Sequence, residues 1–155
     1  MLGMHGSAYA NFAIQQSDLI ICLGARFDDR TTGNIEKYAP NARKEINNKN
    51  SIIHVNINPE EINKVVKSDY PIVSDCGDFL NAIMPYICYK NRELWIKTIY
   101  NLKRKYPFYC NELDDGRIKT QTVIKSINKF MDNDAIVTTG VGSHQMMTAQ
   151  FIKWK

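Results

Sequence analysis

Apolar residues recur along this chain in two rhythms. The run Asp18-Leu19-Ile20-Ile21-Cys22-Leu23-Gly24 is almost continuously apolar and closed by glycine, which predicts a strand buried on both faces of a parallel sheet. Ile52-Ile53-His54-Val55-Asn56-Ile57 repeats the pattern with β-branched residues and stops at Pro59, predicting a second strand. Pro71-Ile72-Val73 predicts a shorter third. Tyr9 to Gln16 predicts a short helix, and Phe79, Ile83 and Ile87 with Leu80 and Met84 fall at helical spacing behind Asp78, a candidate N-cap. Residues 90–118 are basic and aromatic, with Trp95, Ile99, Leu102 and Tyr106 along one helical stripe before Pro107 and the acidic turn Asp114-Asp115-Gly116. This is the pattern of a helical linker. Val123, Ile127 and Phe130 with Ile124 and Met131 predict a further amphipathic helix, and Asp134 to Gly140 a further strand that runs into a glycine-rich loop. The fold class expected is therefore α/β, a parallel sheet with flanking helices over residues 1–89, a linker over 90–118, and a truncated second α/β unit over 119–155.

Composition narrows the picture. At 155 residues and 17.8 kDa, with 44% hydrophobic and 23% charged residues, the chain is large enough for one core, since about 150 residues bury roughly 70% of their extended surface. The longest apolar run, Leu19 to Leu23, is far shorter than the ~20 residues that span a bilayer, and no signal-peptide core follows Met1. No membrane partner is expected. Cys22, Cys76, Cys88 and Cys110 form no close pair and are expected to be reduced and mostly buried thiols. The net charge of +4 is uneven: Lys90, Arg92, Lys97, Lys103, Arg104 and Lys105 against Glu93 place +5 in positions 90–105 and leave −1 elsewhere.

Ligands of open α/β sheets sit at the carboxyl ends of the strands. After the first predicted strand comes Gly24-Ala25-Arg26-Phe27-Asp28-Asp29-Arg30, in which two arginines alternate with carboxylates. Guanidinium forks suit phosphates and carboxylates, and neighbouring acids can hold them in place; a solvated, salt-bridged loop is the plainer reading. Gly24 is not followed by glycines at dinucleotide-fingerprint spacing, so nicotinamide binding is unsupported. Gly140-Val141-Gly142-Ser143-His144 has a strand-then-glycine setting suited to phosphate contact by backbone amides. The three histidines lie far apart, which disfavours zinc. His54, inside a strand, reads as packed, whereas His5 and His144 sit in glycine-flanked loops. The basic segment interleaves Tyr89, Trp95, Tyr100 and Tyr106 with lysines, a pattern that also serves nucleic-acid stacking; against that, Trp95, Ile99 and Leu102 share one face, as packing requires, and no nucleic-acid partner is expected.

Five segments in register carry a family resemblance: Leu2-Gly3-Met4-His5-Gly6; Gly24 to Arg30 with Thr32-Gly33-Asn34; Ile62-Asn63-Lys64-Val65-Val66; Gln121-Thr122-Val123-Ile124; and Thr138-Thr139-Gly140-Val141-Gly142-Ser143-His144-Gln145-Met146. Together they resemble the catalytic subunit of acetolactate synthase (acetohydroxyacid synthase), a thiamine-diphosphate enzyme of branched-chain amino-acid biosynthesis. The resemblance implies a Rossmann-like central FAD-binding domain, a linker, and the start of the thiamine-diphosphate-binding domain. It implies FAD contacts from Leu2, Gly3, Met4, His5, Gly24, Ala25, Arg26, Phe27, Asp28, Asp29, Arg30, Asn56, Ile57, Asp78 and Phe79. Thiamine diphosphate would be touched by Val141, Gly142, Ser143 and His144. Arg30 resembles the arginine that receives the carboxylate of the second 2-keto acid, and Met4 and Asp29 resemble channel positions at which herbicides bind.

The implied reaction condenses two pyruvates to 2-acetolactate, or pyruvate with 2-ketobutyrate to 2-aceto-2-hydroxybutyrate, with FAD in a structural role. A homodimer in the full-length form and a regulatory small subunit are implied partners. Two positions depart from the family pattern: Asn56 stands where an acid is usual, and Ser143 where glutamine is usual. The family's activating glutamate and its Gly-Asp-Gly-Ser magnesium motif are absent, so Mg2+ would be bound by residues outside these 155, which are expected to be a piece of a longer polypeptide and inactive alone. The segment Ala42 to Ser51 resembles the insertion of the fungal form, which implies a mitochondrial location; otherwise the location is cytoplasmic. Another thiamine-diphosphate carboligase or decarboxylase is the alternative.

Overall fold

The computed structural model describes residues 1–45, 50–109 and 116–153. It begins with helix α1 (Ala8–Gln16), followed by strand β1 (Ile20–Leu23), a single helical turn α2 (Asp29–Thr32), strand β2 (Ile52–Asn56), strand β3 (Tyr70–Val73) and helix α3 (Cys76–Ile83). Helices α4 (Glu93–Lys105), α5 (Thr120–Phe130) and α6 (Ser143–Phe151) complete the chain. The strands form one parallel sheet in the order β1-β2-β3, with Ile20 opposite Ile52, Cys22 opposite His54, and His54 opposite Pro71. The expected α/β parallel sheet with flanking helices is what the chain forms.

One face of the sheet carries Ile20, Cys22, Ile52 and His54, all buried, and the loops between β1 and β2 fold onto it with Phe27, Tyr38, Ala39 and Ala42. Val66 closes the same cluster. The opposite face is covered differently along its width. Val55 of β2 is fully buried, whereas Ile21 and Leu23 of β1 remain 51% and 38% exposed. The expectation that β1 is buried on both faces is therefore corrected. Its apolar run supplies side chains for two layers, but among the described residues α3 packs over β2, and β1 is an edge strand whose second face stays partly open.

Three further expectations change. The cap of α3 is Asp75 rather than Asp78: its Oδ1 accepts from the Gly77 amide at 2.7 Å and from the Asp78 amide at 3.4 Å, because the helix starts at Cys76 and a cap must lie just before the first turn. Residues 134–140 form no strand: no strand among the described residues pairs with them to accept ladder bonds, and Ile136 is 91% exposed. Of the described cysteines only Cys22 is buried, Cys76 being half-buried and Cys88 exposed, all as free thiols. Cys110, Asp114 and Asp115 lie outside the described residues.

The basic, aromatic segment forms a helix over Glu93–Lys105, as its stripe predicts. In α4, Glu93 opens the helix and Lys103, Arg104 and Lys105 close it, matching the helix dipole at both ends. Its stripe of Trp95, Ile99, Leu102 and Tyr106 is half-buried and α4 packs on α1, with the Tyr106 ring stacked on Phe12 at 4.6 Å between centroids and the Lys103 ammonium 5.5 Å over Tyr9. Helices α5 and α6 pack as a pair, joined by Asn128, which donates to the Phe151 carbonyl at 2.8 Å and accepts from the Lys153 amide at 3.0 Å. No helix among the described residues is long and apolar enough to cross a membrane.

Candidate functional site

The site is built at the carboxyl end of β1. The strand ends at Leu23, the Gly24 amide donates to the Val55 carbonyl at 2.9 Å, and Gly24 turns the chain at φ +63°. A Cβ there would lie 3.1 Å from the Cys76 sulfur at the start of α3, so the backbone passes close to that helix only because the residue is glycine. The next carbonyl, that of Ala25, points back towards the sheet. Cys22 Sγ lies 3.4 Å from it, His54 Nε2 3.0 Å and Asn56 Nδ2 3.2 Å. The loop is thereby tied to the ends of both strands.

Phe27 is the hydrophobic anchor of the loop, buried edge-on between His54 and Tyr38. Asp28 then caps α2: its Oδ1 accepts from the Thr31 amide at 2.9 Å while its carbonyl accepts from the Thr32 hydroxyl at 2.9 Å. These bonds hold the Asp28 carboxyl below its ordinary range, the Thr31 side chain and then the Thr31 amide being the main causes, with Arg26 assisting. Arg26 faces Asp28 at 4.0 Å and Arg30 faces Asp29 at 3.8 Å, the guanidinium side chains remaining 61% and 64% exposed. Such exposed pairs contribute little stability. They leave both arginines available to a ligand.

The loop Leu2 to Gly6 docks onto this turn from elsewhere in the chain. The Met4 amide donates to the Arg30 carbonyl at 2.9 Å, and Asn11 grips Gly3 from both sides, accepting from its amide at 2.8 Å and donating to its carbonyl at 2.9 Å. Gly3 is obligatory here, since φ is +85° and a Cβ would lie 2.2 Å from the Arg30 carbonyl oxygen. The contact also brings Met4 Sδ to 3.6 Å from Arg30 Nη1. Leu2, Ala25, Arg26, Phe27 and Thr31 share the wall of a cleft of about 340 Å³ with Ile20 to Leu23 of β1. The structure thus assembles Leu2, Gly3, Met4 and His5 with Gly24 to Arg30.

The remaining sequence candidates fall in two places. Ile57, 72% exposed, leaves the end of β2, and Asp78 and Phe79 lie in the first turn of α3. Asn56 is buried, with its amide donating to Ala25 and its Oδ1 accepting from the Asn58 amide at 2.9 Å, so both ends of this side chain are already used within the chain. Val141, Gly142, Ser143 and His144 form the exposed N-terminal turn of α6, where the His144 ring lies over Gly142 close enough that a Cβ there would be 2.9 Å from it. Gln150 of α6 donates to the His5 carbonyl at 2.7 Å, so the helix that starts at this turn also touches the first loop. Asn11, the Ala25 carbonyl and Gln150 were not singled out by sequence pattern. Nothing in their local context marks them, because their partners lie 8, 29 to 31 and 145 residues away.

Comparison with known proteins gives the family. The family model described as "Thiamine pyrophosphate enzyme, central domain" matches residues 1–83. The mitochondrial acetolactate synthase catalytic subunit of Saccharomyces cerevisiae is 46% identical, over all of this chain and 23% of its own length. That of Aspergillus candidus is 43% identical over all of this chain and 24% of its own, and the probable acetolactate synthase large subunit of Methanocaldococcus jannaschii 37% over all of this chain and 26% of its own. The chain therefore spans about a quarter of the length of these curated relatives. With the family match running from the first loop through both strand ends of the site and α3, the chain belongs to the thiamine pyrophosphate enzyme family and carries its central domain.

Proposed function

We propose that this chain is the part of an acetolactate synthase catalytic subunit that holds FAD and presents an arginine to the second 2-keto acid, in an enzyme that condenses two pyruvates, or pyruvate and 2-ketobutyrate, in branched-chain amino-acid biosynthesis. The observation that carries this reading is the docking of the Leu2–Gly6 loop on α2, which sets Met4 against Arg30. The residues present fit a flavin nucleotide. Two exposed guanidinium groups flank a loop whose backbone is brought close to α3 by Gly24, and the apolar cleft beside it has the chemistry to take an aromatic ring system. Leu2, Gly3, Met4, His5, Gly24 to Arg30 and Ile57 would hold FAD, with Asp78 and Phe79 closing the site from α3. Asn56 would serve by shaping the loop, since its amide is spent on Ala25 and Asn58.

The turn Val141 to His144 fits the thiamine diphosphate: the N-terminus of α6 has no side-chain cap, which leaves amide groups and the Ser143 hydroxyl for an anionic oxygen. When bound, that cofactor supplies the electron sink for decarboxylation of a 2-keto acid, with Mg2+ held by residues beyond this chain. Arg30 binds the carboxylate of the second keto acid bidentately and so orients its carbonyl carbon, while Asp29 keeps the guanidinium in place. FAD is structural, because the reaction has no net redox change. The whole enzyme would be a homodimer with a regulatory subunit, in mitochondria as the two fungal relatives are named.

The two halves of the reading have separate tests. Calorimetric titration with FAD is expected to give one site per chain, and a folded sample that takes up none removes the flavin role. In the full-length enzyme, Arg30→Ala is expected to weaken capture of the second keto acid, pyruvate and 2-ketobutyrate alike, by about tenfold relative to decarboxylation of the first, the loss of a charge-assisted bond; an unchanged ratio of condensed product to carbon dioxide released rejects the assignment of Arg30.

A further inference from the structure

We propose that His54 is a positioning residue: by donating from Nε2 to the Ala25 carbonyl it turns the following amide N–H, that of Arg26, outward as a hydrogen-bond donor to the diphosphate of a bound dinucleotide. Three observations place it there. His54 is fully buried, and its Nε2 lies 3.0 Å from an oxygen that can only accept, so the proton is on Nε2. Nδ1 is buried and has no partner among the described residues. A buried imidazole with one orphaned nitrogen is a poor packing choice beside Leu or Phe, since a buried polar atom loses its water without gaining a partner. The other ring nitrogen must return that cost through the bond it makes.

That bond is shared. Asn56 Nδ2 at 3.2 Å and Cys22 Sγ at 3.4 Å reach the same oxygen, so three donors from two adjacent strands converge on a single loop carbonyl. The peptide between Ala25 and Arg26 is trans, there being no cis bond among the described residues, and a trans peptide points its C=O and N–H in opposite directions. With the oxygen held towards the sheet, the Arg26 N–H faces away from it, beside the cleft that Ala25 and Arg26 line. This N–H has no partner among the described residues. A backbone donor turned out of a loop that carries two exposed guanidinium groups is suited to an anionic oxygen, and the side chain of Arg26 is placed by the same peptide.

The proposal rests on the flavin reading for its ligand but is tested apart from it. In the full-length polypeptide that carries this sequence, His54→Gln keeps a donor at the reach of Nε2, and His54→Leu keeps an apolar side chain without one. Dissociation constants are measured for FAD, for riboflavin, which lacks the phosphates, and for inorganic pyrophosphate, alongside the melting temperature. His54→Leu is expected to weaken FAD and pyrophosphate about tenfold and riboflavin not at all, with His54→Gln within a few-fold of the parent. Equal weakening of riboflavin and FAD, or no difference between Gln and Leu, overturns the proposal. If the parent takes up pyrophosphate but no FAD, the flavin reading falls and the pyrophosphate series alone decides the role of His54; a parent that binds neither overturns both.

Discussion

Asp28 shows how much one side chain organises. Its carboxylate caps α2, faces Arg26 and is held in its charged form by Thr31. Because its folded value lies below the ordinary 3.8, the stability it contributes is complete above that value and is lost as pH falls through the depressed folded value. Acid unfolding of Asp28→Asn, which keeps the cap acceptor but not the charge, is expected to differ from the parent above about pH 4 and to converge with it below. Tyr38 behaves in the opposite sense. Burial pushes its phenol up to about 12 from 10.0, so its contribution is intact below pH 10 and fades towards 12; in an absorbance titration of phenolate, Tyr38→Phe is expected to remove the latest-titrating component and no other. The charge pattern of residues 24–30 was readable from the sequence, but which acid would serve as cap was not. Asp28 and Asp29 are adjacent and chemically alike, and the start of a four-residue turn decides between them.

The three strands and helices α1, α3, α4 and α5 follow from periodicity, to within a few residues at their ends, whereas the single turn α2 falls where the pattern reads as loop. Two local rules failed for different reasons. Asp78 has the composition of a cap, but Asp75 is one residue before the helix and takes the role. Residues 134–140 have the composition of a strand, yet strand structure is a property of a pair, and no strand among the described residues pairs with them. At this scale the most sensitive joint is the docking of the first loop on α2. Gly3→Ala would drive a Cβ into the Arg30 carbonyl and is expected to cost about 1–3 kcal/mol of stability, read as a lower melting temperature, together with loss of FAD affinity. Gly33→Ala has open space around it at a similar positive φ and separates backbone strain from the clash: it is expected to cost less and to leave FAD affinity unchanged.

Across the molecule, burial is asymmetric. The face of the sheet under Phe27 and Tyr38 is closed, while Ile21 and Leu23 on the other side of β1 are open. Apolar patches of this kind bind apolar partners and dyes. Replacing both with threonine, which keeps strand propensity, is expected to reduce binding of a hydrophobic fluorescent dye by roughly half with little change in melting temperature; a large drop in melting temperature would mean that these side chains are packed in solution.

What the sequence determined alone was the α/β class, the positions of the three paired strands, the mixed-charge turn after the first strand and, through motifs in register, the family. Those features are local: periodicity, turn residues and side-chain chemistry are set by neighbours along the chain. Tertiary structure alone decided that Leu2–Gly6 would rest on Asp28–Thr32, that His54 and Asn56 would meet on one carbonyl, and that Gln150 would reach His5. The reason is geometric. A buried hydrogen-bonding group must find a partner, but which partner, tens of residues away, is settled only when strand register and loop packing bring the two within 3 Å or so.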